Sequence, residues 1–431
     1  MYKENNLQNM LTERVLSPTG KGLGDVSSQL PITDTAQLGW NLLQEDVSLP
    51  VAVLSSSRVQ HNLEWMRSFI STYGLKLAPH GKTTMSPALF HRQLDHGAWG
   101  ITLATAPQVQ AAYHFGVRRV IMANQLVGRA NMAIISRLLQ DSEFDFFVIV
   151  DSVANVEQLG QFFAKSERRL NLLLELGVDG GRTGVRGEQD RVAVLDAIAR
   201  YPQSLALAGI EVYEGVLKDE ASIRAFLQRA ARELLALEAG GLLTADKVIL
   251  TGAGSAWFDL VAEEWTGLTL SDTGTRELDI ILRPGCYLTH DVGAYKAAEA
   301  RIHANNPVAR SMQTSLLPAL QLWAYVLSIP QPGLAILGLG KRDAAFDAGL
   351  PIPATHYRPG SGAPVAAPAD WELTAMMDQH AFMKVAPGAD LQVGDMLALD
   401  ISHPCLTFDK WRQLLVIDDN YTVIDAVETF F

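Results

Sequence analysis

Between residues 75 and 284 short apolar runs alternate with longer amphipathic stretches, and few architectures accommodate that rhythm. The runs fall at 75–78, 99–104, 119–123, 145–150, 170–176, 205–212, 247–250 and 277–282, with 51–54 as a lead-in. Between them, stretches such as 107–115, 131–139, 153–163 and 222–237 place apolar residues three and four apart, the spacing of a helix with one buried face. Eight strands separated by helices predict a (β/α)₈ TIM-type barrel. An open doubly wound sheet is the rival. The barrel is preferred because the length suits it and because glycines of phosphate-binding type follow the seventh run rather than the first.

Past residue 285 the pattern changes to strands at 320–329, 334–339, 372–385, 396–401 and 413–417, with few helical stretches between them. The reading is therefore a barrel over 50–285 and a mainly β domain over 286–431, joined by part of 1–49. The Pro/Gly/Ala-rich segment 349–368 reads as a surface loop inside the second domain. The most apolar long stretch, 316–329, contains Pro318 and Gln321 and is shorter than the roughly 20 residues a bilayer span needs, so no membrane helix is expected. A formal net charge of -12 without any basic cluster argues against nucleic acid and anionic membrane as partners. Only two cysteines occur, Cys286 and Cys405, which suggests no disulfide framework and a reducing compartment. With no apolar block of secretory type near Met1, a cytoplasmic location is expected.

Reacting groups of a barrel sit just past the carboxyl ends of its strands. Here those positions hold Lys82, Thr105, Asn124, Asp151, Arg182, Tyr213, the stretch Thr251 to Ser255, and Arg283 with Tyr287. Thr251, Gly252, Ala253, Gly254 and Ser255 offer unobstructed backbone N–H groups and a hydroxyl, which suit a phosphate monoester. A Gly-x-Gly turn alone is commonly just a tight turn. Its place between the seventh and eighth strands favours the phosphate reading. Lys82, near His80 and beside Gly81, would ordinarily be a solvated surface lysine. At a barrel mouth opposite a phosphate cradle it can form an imine with an aldehyde cofactor, with desolvation supplying the neutral amine.

His403 and Cys405 are spaced i and i+2 at the end of a predicted strand, so they can face the same way and share a metal; zinc suits a nitrogen and sulfur pair. A buried cysteine beside a packed histidine is the bland alternative. His380, on another predicted strand, is a candidate for the mouth of the site. His61, His91, His96, His114 and His303 read as ordinary surface or satisfied histidines.

The segment from Leu77 through Pro79, His80, Gly81 and Lys82 to Thr83 resembles the cofactor-lysine motif of the fold-type III pyridoxal-phosphate enzymes, in the D-threonine aldolase and D-serine dehydratase family. Val178 to Gly184, Ile210 to Gly215, Thr251 to Ser255 and Arg283 to Tyr287 continue the resemblance in order, so that it covers the chain from about Pro50 onward. The resemblance implies an alanine-racemase-like barrel with Lys82 carrying pyridoxal 5'-phosphate. His80, Thr105, Arg182, Tyr213, Gly252, Gly254, Ser255 and Tyr287 would surround that cofactor. It further implies a divalent metal of zinc type at His403 and Cys405, a D-amino acid substrate and a homodimer. A cysteine at position 405 is similar to the dehydratase branch, whereas the aldolase branch more usually carries aspartate there. Ala78 stands where the family has arginine, and Asp378, Gln379 and His380 follow its Glu-Glu-His pattern only in part.

These features predict a lyase that converts D-serine or a related D-3-hydroxyamino acid to a 2-oxo acid and ammonia, with Lys82 as the base. The alternatives are retro-aldol cleavage to glycine and an aldehyde, racemisation, and a non-catalytic carrier of the cofactor.

Overall fold

The computed structural model describes residues 15–270 and 276–431. Eight parallel strands form one curled sheet: Lys76–Leu77, Ile101–Leu103, Arg119–Gln125, Asp145–Val150, Leu170–Leu176, Leu205–Val212, Val248–Gly252 and Leu278–Leu282. From the second to the eighth, each strand pairs with its sequence neighbour, and the first pairs with the last (Leu77 beside Leu282). The seam between the first two strands closes through a bridge from His80 to Thr102, with Thr102 N–H donating to Pro79 O at 2.9 Å. The expected barrel is therefore the observed one. Helices Ala106–His114, Arg129–Leu138, Val153–Phe162, Glu188–Ala199, Glu220–Ala239 and Phe258–Trp265 cover its outside. Thr105, Ser152 and Asp219 start three of them by accepting a backbone N–H with the side chain.

The barrel's helical layer does not end at residue 285. Helix Ala294–Asn305 follows the eighth strand and is tied to the barrel by Arg301, whose Nη2 lies 2.6 Å from Asp259 Oδ1. Its run of alanines and charges hides the apolar stripe that marks the other helices.

The second domain is built on a mixed sheet in the order Val365–Ala366, Ile352–Tyr357, Met396–Asp400, Leu320–Gln331, Leu334–Leu337, Ala381–Lys384, Glu372–Met376. Two differences from the sequence reading stand out. The segment 349–368 is not only a loop: it contributes strands Ile352–Tyr357 and Val365–Ala366, whose prolines and small residues mask them. The lead-in strand, Val51–Ser55, does not serve the barrel at all. It lies antiparallel to Leu320–Gln331 and parallel to Gln413–Ile417, so a piece that precedes the barrel completes the other domain. Residues 15–49 pack there too, with Leu16, Leu23, Ile32 and Trp40 buried against Trp323, Leu415 and Val423. The first fourteen residues lie outside the described ones. No helix among the described residues is long and apolar enough to cross a membrane.

Candidate active site

The first barrel strand stops at Pro79, and the tight turn Gly81–Thr83 swings Lys82 into a cavity at the barrel mouth. Glycine is required on both sides of this turn. A Cβ at Gly81 would sit 2.6 Å from Ile101 Cγ2, and one at Gly285 would sit 2.7 Å from His80 O. The segment that carries Lys82 is thus clamped between the second strand and the loop after the eighth. Lys82 is exposed to solvent at the open mouth, not desolvated as the sequence reading expected, because the turn presents its side chain outward.

The same cavity is lined by His80, Arg182, Tyr213, Gly254, Ser255, His403 and Cys405. The Arg182 guanidinium lies 4.8 Å from the Tyr213 ring centroid, a cation–π contact that forms one wall. Burial, with the charges of Arg283, Lys82 and Arg182 behind it, holds the His80 imidazole well below its usual pKa, so the ring is neutral. Its Nδ1 is buried with no hydrogen-bond partner.

Gly252 ends the seventh strand under the loop and faces Trp265 rather than the cavity. The amides of Ala253 and Gly254 are already engaged, donating to Glu214 Oε2 and Oε1 at 3.0 and 2.7 Å. Burial nevertheless pushes the Glu214 carboxyl up. A second pair of amides converges on the loop: Gly285 N–H and Cys286 N–H both donate to Ser255 Oγ, at 3.2 and 3.1 Å. Gly254, Ser255, Gly285 and Cys286 all line the cavity, so the part of the predicted phosphate loop that reaches it is Gly254 and Ser255. Thr105 and Tyr287 do not face the cavity. Thr105 caps a helix, and Tyr287 is buried behind it, its hydroxyl accepting from Gln93 Nε2 at 3.2 Å.

The floor holds groups that the sequence reading left without a role. Arg283 is 1% exposed; its Nη2 pairs with Glu211 and donates to Val212 O at 2.9 Å, while its Nε and Nη1 have no partner. Glu175, buried near Glu211, has its pKa raised to about 7 by burial first and by the Glu211 charge next. A signal was available: carboxylates at 175 and 211 interrupt strands buried along almost their whole length, and a buried carboxylate needs a cation or a proton.

His403 and Cys405 do not lie on one strand. Met396–Asp400 ends early, and Pro404, which lacks an N–H, starts the short helix Cys405–Phe408. The turn still brings the two side chains together. His403 is pushed up to about 9, chiefly by its hydrogen bond to Cys405, and Cys405 falls to about 4 through hydrogen bonds from Cys286 and His403. His403 Nδ1 lies 2.8 Å from Asp347 Oδ2, which leaves Nε2 to face Cys405. Cys405 Sγ lies 3.5 Å from Thr83 Oγ1, one residue from Lys82. Among the described residues no three His, Cys, Asp or Glu side chains converge as a ready-made metal cage. His380 sits in the turn between Glu372–Met376 and Ala381–Lys384, exposed and outside the cavity.

The buried unpartnered nitrogens of His80 and Arg283, and the loop at Gly254 and Ser255, fit a planar phosphorylated cofactor attached at Lys82. Comparison with known proteins agrees. Residues 54–261 match the family described as alanine racemase, N-terminal domain, and residues 319–417 match the putative serine dehydratase domain. The chain belongs to the fold-type III pyridoxal-phosphate enzymes that join these two domains. It is 27% identical over 377 residues to a D-threonine aldolase of Arthrobacter sp., covering 86% of this chain and 90% of that one. The crystal structure of D-threonine aldolase from Filomicrobium marinum superposes with a TM-score of 0.73 at 22% identity, covering 91% of this chain and 96% of that one. D-threo-3-hydroxyaspartate dehydratase from Delftia sp. HT23 gives 0.68 at 20% identity, with 90% and 99% covered. A cysteine-to-alanine mutant of that dehydratase has been solved in a metal-free form.

Proposed function

We propose that this chain is a pyridoxal-phosphate- and metal-dependent lyase acting on D-serine or a related D-3-hydroxyamino acid, giving a 2-oxo acid and ammonia. The observation that carries this reading is the meeting of Lys82 from the barrel with His403 and Cys405 from the β domain in one cavity. When bound, the cofactor supplies an electron sink at Cα and the metal a Lewis acid toward the β-hydroxyl.

The chain's own residues do the rest. Lys82 Nζ holds the cofactor and then takes the α-proton. Ser255 Oγ and the Gly285 and Cys286 amides anchor the phosphate, the group farthest from the reacting carbon. Arg182 and Tyr213 wall the cavity and limit access of water. Neutral His80 keeps a hydrogen-bonding nitrogen inside without adding a charge. His403, oriented by Asp347, and the Cys405 thiolate are the metal donors. A cysteine at position 405 supports the elimination outcome.

Retro-aldol cleavage is the second reading, favoured by the nearly full-length match to an aldolase. Product analysis with D-serine, D-threonine and D-3-hydroxyaspartate separates the two. Glycine plus aldehyde, with no ammonia or oxo acid, would sink the dehydratase reading. Turnover that survives full metal removal would remove His403 and Cys405 from the mechanism. A homodimer is part of this proposal, and sedimentation of the purified protein checks it.

A further inference from the structure

The Cys286 thiol has no role in the scheme above, yet its sulfur lies 3.8 Å from that of Cys405. That separation is nearly twice the roughly 2.05 Å of a disulfide. It equals the edge of a tetrahedron whose centre is about 2.3 Å from each sulfur, the usual zinc–thiolate bond. The surroundings are not those of two thiols packed in an apolar core. Thr83, Ser255, Tyr295 and His403 line the cavity around the pair. Both backbones are fixed: Cys286 N–H is held by Ser255 Oγ, and the turn at Cys405 is held by Thr407 Oγ1 donating to His403 O at 3.0 Å.

We propose that Cys286 is a metal ligand, so that the metal is held by two sulfurs, one from each domain, with His403 as third donor. This rests on the metal reading proposed for His403 and Cys405 and extends it. The three do not form a closed cage among the described residues; His403, whose side chain is 26% exposed on a turn, reaches the pair through its hydrogen bond to Cys405. Two cysteines and one histidine make the donor set of a catalytic zinc that keeps its fourth position open. A metal held there would lie beside Thr83, the neighbour of Lys82, and would supply a Lewis acid to a substrate oxygen.

The test is cobalt substitution of the cofactor-loaded protein. The wild type should show a thiolate-to-cobalt charge-transfer band that roughly halves in Cys286→Ser, while zinc affinity, measured against a chromophoric chelator, falls at least about tenfold, the lower range for loss of a supporting residue. X-ray absorption of the wild-type zinc protein should count two sulfurs, a measurement that needs no variant to fold. One sulfur, or a band and affinity unchanged in Cys286→Ser, overturns the assignment of Cys286 and leaves the His403 and Cys405 pair standing. Absence of any cobalt or zinc binding by the wild type overturns the metal reading itself, and Cys286 with it.

Discussion

Replacing Arg283 by methionine isolates the electrostatics of the cavity floor. The wild-type pair is almost wholly desolvated, with side chains 1% and 2% exposed, and Glu211 Oε2 has no other partner. Removing the cation therefore strands a carboxylate that leans on it, a change that typically costs about 3–5 kcal/mol. Protonation caps the loss. Moving a carboxyl from an ordinary pKa of about 4.3 to above pH 7 costs about 1.36 kcal/mol per unit, so the penalty at pH 7 cannot exceed about 3.7 kcal/mol. A buried carboxylate left without its cation is relieved when it takes up a proton, so the destabilisation is largest at neutral pH and shrinks as pH falls. The penalty should accordingly shrink to about 1 kcal/mol at pH 5. Urea denaturation at pH 5, 6 and 7 measures it, and the double variant Arg283→Met with Glu211→Gln should recover most of the loss at pH 7. A pH-independent penalty, or a double variant no more stable than the single one, would refute the reasoning.

Lys82→Ala should lose the visible absorbance of the bound cofactor and at least about a hundredfold in turnover, the low end for loss of a positioned base; retained absorbance would remove Lys82 as the attachment point. Gly285→Ala forces a Cβ to within 2.7 Å of His80 and Thr83 and should cost about 1–3 kcal/mol together with cofactor affinity, read by thermal melting and titration. Glu175, with a folded pKa raised to about 7, contributes stability that is present below about pH 4.5 and lost as pH rises to 7, a drop of about 3 kcal/mol. Glu175→Gln has no charge to bury, so its stability should stay flatter over that window; parallel curves for the two proteins contradict the burial argument.

The barrel was legible where strands are buried on both faces. Residues 145–150, 170–176 and 205–212 match their observed strands to the residue, because such strands read as continuous apolar runs. The first strand shrinks to Lys76–Leu77, since Pro79 halts the ladder that apolarity alone would extend. Pairing over long separations leaves no local trace. Val51–Ser55 looks like any short apolar run, and nothing near it announces partners beyond residue 319. The site divides in the same way. Lys82, Arg182, Tyr213 and Ser255 follow from strand ends, whereas the contact between Cys286 and Cys405 spans 119 residues of sequence and emerges only when the domains dock. Gly252 and Thr105 stand at suitable places, but strand pairing holds the one and a helix cap the other.

The path of the chain through its two domains has a consequence for its synthesis. Val51–Ser55 leaves the ribosome before the barrel, yet both strands that flank it, Leu320–Gln331 and Gln413–Ile417, are made after the barrel. A nascent chain therefore carries a strand with two open edges for most of its translation, while the barrel can already close. Completion of the second domain waits for those late strands, and a truncation between residues 331 and 413 leaves a barrel tethered to a sheet in which Val51–Ser55 keeps one open edge.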